Sequence, residues 1–454
     1  MSGRIGKIVD ARIKDLAFDG KSVGEIDGKI IFLNAGLPGE TVRARITKSK
    51  ARFEVGKVLQ VVGRSDERTD APCGHFEICG GCTWQDLEYE RQLYYKRKQV
   101  LDCLGHIGKL EDVEVAEIVG APEQFGYRNK MEFSFNVDEE KGFVLGLHHR
   151  GEFDKIFNLD RCLLQSETAS RIVRWFGDYV REKDIPVYHI TDHTGYLRFF
   201  MIRETANTNQ IMINIVTAEG KFPDADEFVG RISAVFPELT TIVHNVNSRK
   251  ANIAKGEAED ILYGPGYIEE ELLGKKFRIY ANSFFQTNSR QAERLYKIAY
   301  ELLGAGSDDR LLDLYCGTGT IGLCLADRVK KVAGIELEES AVTAARENAG
   351  LNGIANAEFH CGSAQDLMKT NPEIFTDLNC AIVDPPRAGL HKKAMKSLIE
   401  FAYPRITYIS CNPATFARDA AILRKAGYKI GKVIPVDMFP HTMHIELVAD
   451  FKRD

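Results

Sequence analysis

RLLDLYCGTGTIGL, residues 310–323, reads as a buried strand running into a glycine-rich turn and then a helix. Gly317, Gly319 and Gly322 have the spacing of a dinucleotide-binding fingerprint, in which glycines close a tight turn and let the backbone approach a ligand. Glu336 lies 17 residues after Gly319, at the end of the strand-like run KVAGIE. A carboxylate there can accept hydrogen bonds from ribose hydroxyls, which nicotinamide dinucleotides and S-adenosyl-L-methionine both carry. Working outward, QTNSRQAERLYKIAYELLG has helical spacing, while NCAIVDPP and ITYISCNP are strands ending in polar residues. Strands alternating with helices predict an α/β, Rossmann-like domain with a mostly parallel sheet and its site at the carboxyl ends of the strands.

Three more groups belong to this half of the chain. In Asp384-Pro385-Pro386-Arg387 the prolines fix φ and remove donors, so the segment either projects a rigid acceptor, such as nucleobase methyltransferases place beside the base to be methylated, or is a rigid loop and nothing more. Hydride transfer has no use for such a segment, which turns the reading away from a nicotinamide oxidoreductase. Cys411 follows the strand ITYI and is either a nucleophile pointing into the site or a small buried hydrophobe. In HTMHIELVADF, His444 and Glu446 share the strand face opposite Ile445 and Leu447, which offers Glu446 as a base. The three fit one reaction. Carbon 5 of uracil is too poor a nucleophile to attack a sulfonium methyl group unaided. A thiolate adding at carbon 6 activates it, and a base must then remove the carbon-5 proton so that the cysteine can leave.

The remaining sequence bounds the context. Hydrophobic residues are 44% of the 454 and charged residues 28%, which excludes a largely disordered or membrane-embedded chain. The amino-terminal MSGRIGKIVDARIKD lacks the apolar core of a signal peptide, and no run of about 18 apolar residues exists, so a cytoplasmic protein without membrane contact is expected. Ten cysteines in a reducing compartment then point to metal binding, catalysis or burial. Cys73, Cys79 and Cys82, with Cys103 or Cys162 as a fourth ligand, suit either zinc or an iron–sulfur cluster. Residues 1–63 read as an OB-like β-barrel of net charge +5, with Arg43, Arg45, Lys48, Lys50 and Arg52 within ten positions. Residues 64–70 form a polar linker. Residues 71–265 form a mixed α+β central domain with helices near 84–104 and 166–183, and residues 266–454 form the catalytic domain. A net charge of −5 excludes a uniformly basic nucleic-acid binder, leaving local patches at Arg43–Arg52 and Lys96–Lys98.

NSFFQTN, LLDLYCGTGTIGL, GIE, DPPRAGL, SCNPATFARD and MFPHTMHIE together resemble the RNA uracil-5-methyltransferase family, specifically its iron–sulfur, ribosomal-RNA type. The resemblance covers nearly the whole chain: residues 1–63 look like its TRAM barrel, PCGHFEICGGCTWQ like its cluster loop, and RCLLQ supplies a matching cysteine. It implies a 4Fe–4S cluster on Cys73, Cys79, Cys82 and Cys162, with Cys103 left to the core. It also implies contacts to S-adenosylmethionine from Gln286, Tyr315, Glu336 and Asp384, with Thr320 and Ser363 matching less closely. Cys411 matches the nucleophile and Glu446 the base, and Phe284 and Phe285 are expected to stack on a flipped uracil. The implied function is methylation of carbon 5 of a uridine in structured RNA. The expected substrate is 23S ribosomal RNA, with the transfer-RNA T-loop as alternative and a non-catalytic RNA-binding protein as the competing class. A monomer is expected.

Overall fold

The structure is a computed structural model that describes residues 4–138, 140 and 142–453. Residues 1–3 and 454, the ends of the expected first and last segments, lie outside the described residues. Strands β1 (Ile8–Leu16), β2 (Ser22–Ile26), β3 (Lys29–Leu33), β4 (Thr41–Ser49) and β5 (Phe53–Gly63) close into a barrel of order β1-β2-β3-β5-β4. Alternation explains its core: Val42, Ala44 and Ile46 point inward at no more than 1% exposure, while Arg43 and Arg45 between them face solvent.

The next sheet has seven strands: β6 (Lys130–Asp138), β7 (Gly142–His149), β8 (Glu152–Asn158), β9 (Leu197–Glu204), β10 (Ile211–Thr217), β11 (Leu239–Val246) and β12 (Ala258–Tyr263). Their order is β12-β11-β10-β9-β6-β7-β8. Helix α1 (Tyr89–Cys103) precedes this sheet in the chain, and helices α2 (Glu167–Lys183) and α3 (Ala225–Val235) pack Phe176 and Phe228 against Phe133 and Phe200 of it. Ser166 caps α2 by accepting the Ala169 N–H at 2.9 Å, which sets the start where the sequence puts it. The expected helix at 84–104 begins later, at Tyr89. The backbone N–H groups of Thr83 and Trp84 are drawn off to the carbonyl of His441. Although it lies early in the chain, α1 buries Val100 and Cys103 in the core of the carboxyl-terminal sheet, beside Val433 and Leu447.

After the hairpin β13 (Tyr267–Leu272) and β14 (Lys275–Tyr280), helix α4 (Ser289–Leu303) leads into the third sheet. Its strands are β15 (Arg310–Leu314), β16 (Lys331–Glu336), β17 (Ala357–Cys361), β18 (Cys380–Val383), β19 (Arg405–Ser410), β20 (Lys429–Val436) and β21 (Glu446–Lys452). The order is β17-β16-β15-β18-β19-β21-β20, with β15 to β19 parallel and β21 inserted antiparallel between β19 and β20. That inversion matters for the site. Ser410 pairs with Leu447, so the first residue of β21 lies beside the carboxyl end of β19. No helix among the described residues is long and apolar enough to cross a membrane.

Candidate active site

The glycine turn behaves as its sequence requires. Gly319 has φ +79°, and a Cβ there would come within 2.9 Å of the Phe359 ring. The Gly322 N–H donates to Asp313 Oδ2 at 2.8 Å, folding the turn back onto β15. Tyr315 also takes a left-handed φ of 69°, uncommon for an aromatic residue and found where surrounding structure over-determines a turn. Tyr315 and Glu336 share a small cavity of about 120 Å³ with Leu337, Ser363 and His391. Glu336 is held in that lining: Oε2 accepts the Gly317 N–H at 3.0 Å, and Oε1 accepts the N–H groups of Leu337 and Glu338 at 2.7 and 3.0 Å. Thr320 sits just beyond the turn, its hydroxyl 3.3 Å from that of Tyr296. Gln286 is not among the residues lining this cavity. It lies in the segment entering α4, where its carbonyl accepts the Asn129 side-chain amide at 2.9 Å.

Asp313, to which the sequence reading assigned no role, is fully buried, and its Oδ1 has no hydrogen-bond partner. Burial pushes its carboxyl up to about 7, with Asp384 and Glu336 adding like charge. Asp313 therefore feels both the Glu336 cavity and the second cluster of groups. Its signal in the sequence is the single charge inside the apolar run LLDL.

That second cluster consists of Asp384, Cys411, Glu446 and Arg387. Burial pushes Asp384 up to about 7 and carries Glu446, 6% exposed, well above the usual carboxylate range, with Asp384 adding repulsion. The Cys411 thiol is pushed up to about 12, first by burial and then by the charges of Glu446 and Asp384, while Arg387 pulls it down. Local sequence explains the placement. Asn412 caps the helix Pro413–Lys425 through the N–H groups of Ala414 and Thr415, and proline at the first helical position has no N–H to lose. The Asn412 amide also donates to the Arg387 carbonyl at 3.0 Å, tying the Asp-Pro-Pro-Arg loop to the cysteine. Arg387 reaches the ring of His444 at 3.3 Å, and burial with Arg387 nearby lowers that imidazole to about 4, so it is neutral near pH 7. A thiol, two carboxyls of raised pKa and one guanidinium can form a covalent adduct and then move a proton.

Cys73, Cys79, Cys82 and Cys162 line one cavity of about 470 Å³, together with Arg128, Lys130 and Thr287. Cys82 is pushed up to about 12 by burial, and Cys79 and Cys162 are raised by burial and by neighbouring thiols. Donors already point at sulfur: Gly81 N–H to Cys79 at 3.3 Å and the Gln85 amide to Cys82 at 3.1 Å. Among the described residues, no three His, Cys, Asp or Glu side chains converge as ligands of a single ion.

Two expectations about RNA-facing residues are corrected, and a third residue gains a partner. Phe285 is 4% exposed and packs on Phe277, so only Phe284, at 71%, is free to stack. Lys96 is not a surface cation: it is completely buried against Asp437 at 2.7 Å, while Lys98 binds Asp15 and Asp102 and Arg97 donates to the carbonyls of Val115 and Ala116. Arg43 is exposed but bidentate with Asp10, at 2.8 and 3.0 Å. Spacing alone could not show Asp437, Asp15 or Asp10, which lie 341, 83 and 33 positions from Lys96, Lys98 and Arg43.

Comparison with known proteins agrees with this geometry. The model of the tRNA (uracil-5-)-methyltransferase family matches residues 238–452, and that of the TRAM domain matches residues 4–59. An uncharacterized RNA methyltransferase of Caldanaerobacter subterraneus subsp. tengcongensis is 41% identical over 98% of both chains. Another, from Chlorobaculum tepidum, is 39% identical over 99% of this chain and 97% of its own. The crystal structure of Pyrococcus abyssi tRNA (uracil-54, C5)-methyltransferase with S-adenosyl-L-homocysteine superposes with a TM-score of 0.78 at 32% identity, covering 98% of this chain and all of that one. Fold and site define a methyltransferase whose catalytic sheet is joined to a TRAM barrel. The chain belongs to the RNA uracil-5-methyltransferase family.

Proposed function

We propose that this enzyme methylates carbon 5 of a uridine in structured RNA through a covalent cysteine adduct. The observation that carries the reading is the antiparallel insertion of β21, which brings Glu446 beside the strand end bearing Cys411 and within electrostatic reach of it. S-adenosylmethionine supplies an electrophilic methyl group when bound. Glu336 and Tyr315 fit its nucleoside end, since they line one cavity and the Glu336 carboxylate is fixed there by three backbone N–H groups. Asp384 and Gln286, which the family resemblance implies, and the buried Asp313 are assigned to its surroundings. The Cys411 thiol gives up its proton to solvent and the thiolate adds to carbon 6 of the uracil. The electron density moved into the ring lets carbon 5 take the methyl group, the electrons of the broken carbon–sulfonium bond staying on the departing sulfur as a thioether. Once carbon 5 is methylated, Glu446 takes its proton, the carbon 5–carbon 6 double bond re-forms and the Cys411 sulfur departs with the electrons of the carbon–sulfur bond. Arg387 favours the thiolate at the first step.

Cys73, Cys79, Cys82 and Cys162 would hold a 4Fe–4S cluster. Four thiols spread around one cavity, with N–H donors aimed at two of them, suit a multi-atom cluster better than a single ion. Methyl transfer contains no redox step, so the group is assigned a structural role. Large-subunit 23S ribosomal RNA is the leading substrate for this cytoplasmic, monomeric enzyme. The full-length likeness to a transfer-RNA enzyme favours a second reading, the T-loop uridine. Labelled S-adenosylmethionine incubated with separated unmodified ribosomal and transfer RNA, followed by digestion to nucleosides, decides between them. Label in 5-methyluridine from ribosomal RNA supports the first reading, label only from transfer RNA moves the substrate, and no label in either overturns the proposal.

A further inference from the structure

The segment Asp437–Ile445 connects β20 to Glu446, and Val436 pairs with Glu446 across this hairpin. Connections of this length ordinarily run over the surface. Here Asp437, Met438, His441, Thr442 and Ile445 are all at most 5% exposed. Several other parts of the chain hold the segment, among them α1, the stretch after Cys82 and the start of α4. From α1, the Lys96 ammonium donates to Asp437 Oδ1 at 2.7 Å and to the Phe439 carbonyl at 3.0 Å, while the Tyr89 hydroxyl donates to Asp437 Oδ2 at 2.9 Å. The Gln92 side chain clasps His441: its Oε1 accepts the His441 N–H at 2.9 Å and its Nε2 lies 3.1 Å from the ring Nδ1. Directly after Cys82, the N–H groups of Thr83 and Trp84 both donate to the His441 carbonyl, at 2.8 and 3.0 Å. From α4, Asn288 and Gln291 donate to the carbonyls of Met438 and Asp437, each at 2.9 Å.

A fully buried lysine–aspartate pair is weak evidence for stability, because desolvation offsets the attraction. What it specifies well is geometry, since separating the partners would leave each buried charge without its counter-charge. We propose that Lys96 and Gln92 are positioning residues for the base: with the backbone that follows Cys82, they hold Asp437–Ile445 so that Glu446 meets the proton it must remove. The inference rests on the covalent reading above. It also joins the cysteine segment to the chemistry, since the residues next to Cys82 bind the same loop as α1.

The test uses Lys96→Met, Gln92→Met and Glu446→Gln in the full chain, with an RNA that the wild type methylates. Steady-state kcat, the KM for S-adenosylmethionine and the fraction of protein carried as denaturant-resistant RNA adduct are measured. Lys96→Met is expected to lower kcat about tenfold or more, to leave that KM within about twofold, and to accumulate adduct toward the level of Glu446→Gln. Gln92→Met should show the same pattern more weakly, and it decides the matter alone if Lys96→Met does not fold. Folded variants that turn over at the wild-type rate, or that lose kcat without accumulating adduct while Glu446→Gln does accumulate it, overturn the positioning role. Absence of adduct in Glu446→Gln itself overturns the covalent reading instead.

Discussion

Two cysteine sites in this chain have thiols raised to the same degree and for the same first reason, yet their surroundings differ. Cys82 and Cys411 are both pushed up to about 12, mainly by burial. Around Cys82 the Gln85 amide lowers the thiol while Cys162, Cys79 and Cys73 raise it, whereas around Cys411 Glu446 and Asp384 raise it and Arg387 lowers it. A thiol among thiols has no proton acceptor of its own and gains only if a cation or cluster takes all of them together. A thiol among carboxyls and a guanidinium stands beside groups that can move protons at each step of a reaction. Burial alone therefore does not distinguish a ligand from a nucleophile, and the identity of the second neighbour does.

The contrast can be broken most sharply at the nucleophile. Cys411→Ala should reduce methyl incorporation by about 10³-fold or more while leaving the melting temperature nearly unchanged, read by label transfer and thermal unfolding. Wild-type activity in that variant would place the chemistry elsewhere. Glu446→Gln should lower turnover by roughly 10²–10⁴-fold and accumulate a covalent RNA adduct visible on a denaturing gel. At the other site the proposed cluster reverses the order: on that proposal Cys82→Ser should abolish iron and sulfide incorporation and lower the melting temperature, with a smaller loss of kcat in the protein that remains folded.

The pH dependence sharpens the comparison further. A thiol near 12 is almost wholly protonated at pH 7, so adduct formation should rise as pH increases from 6.5 to 8.5. The slope should be shallower around pH 7, where the carboxyl of Asp384 loses its proton and adds negative charge beside the sulfur. Arg387→Ala removes a cation that lowers the thiol, and should slow adduct formation at pH 7, read as a lower rate of adduct accumulation. The smallest effect belongs to the barrel. Arg45→Ala should reduce the salt dependence of RNA binding by about one counterion, and Arg43→Ala by less, because Arg43 already holds Asp10.

Much of the catalytic half was legible from the residues because its signals are local. The Gly317–Gly322 spacing and the strand-like run ending at Glu336 are each read from neighbouring positions. The barrel was legible for the same reason, through alternation over β4 and its neighbours. The basic run on α1 was misread because Lys96 has its partner 341 positions away, at Asp437. Phe285 was paired with Phe284 in the reading, although the segment entering α4 turns one ring out and the other into the core. Asp313 was quoted within its motif, but its orphaned oxygen shows only once the strand is buried.

By itself the sequence determined the mostly parallel catalytic sheet, the amino-terminal barrel and the set of chemically able residues, since periodicity and short-range spacing are properties of neighbouring positions. Only the tertiary structure decided which of those residues meet. The antiparallel insertion of β21 puts Glu446 beside the strand end of Cys411, and the burial of α1 turns Lys96 from a surface charge into the partner of Asp437. Both depend on contacts between segments far apart in the chain, where burial and desolvation, rather than local propensity, set the outcome.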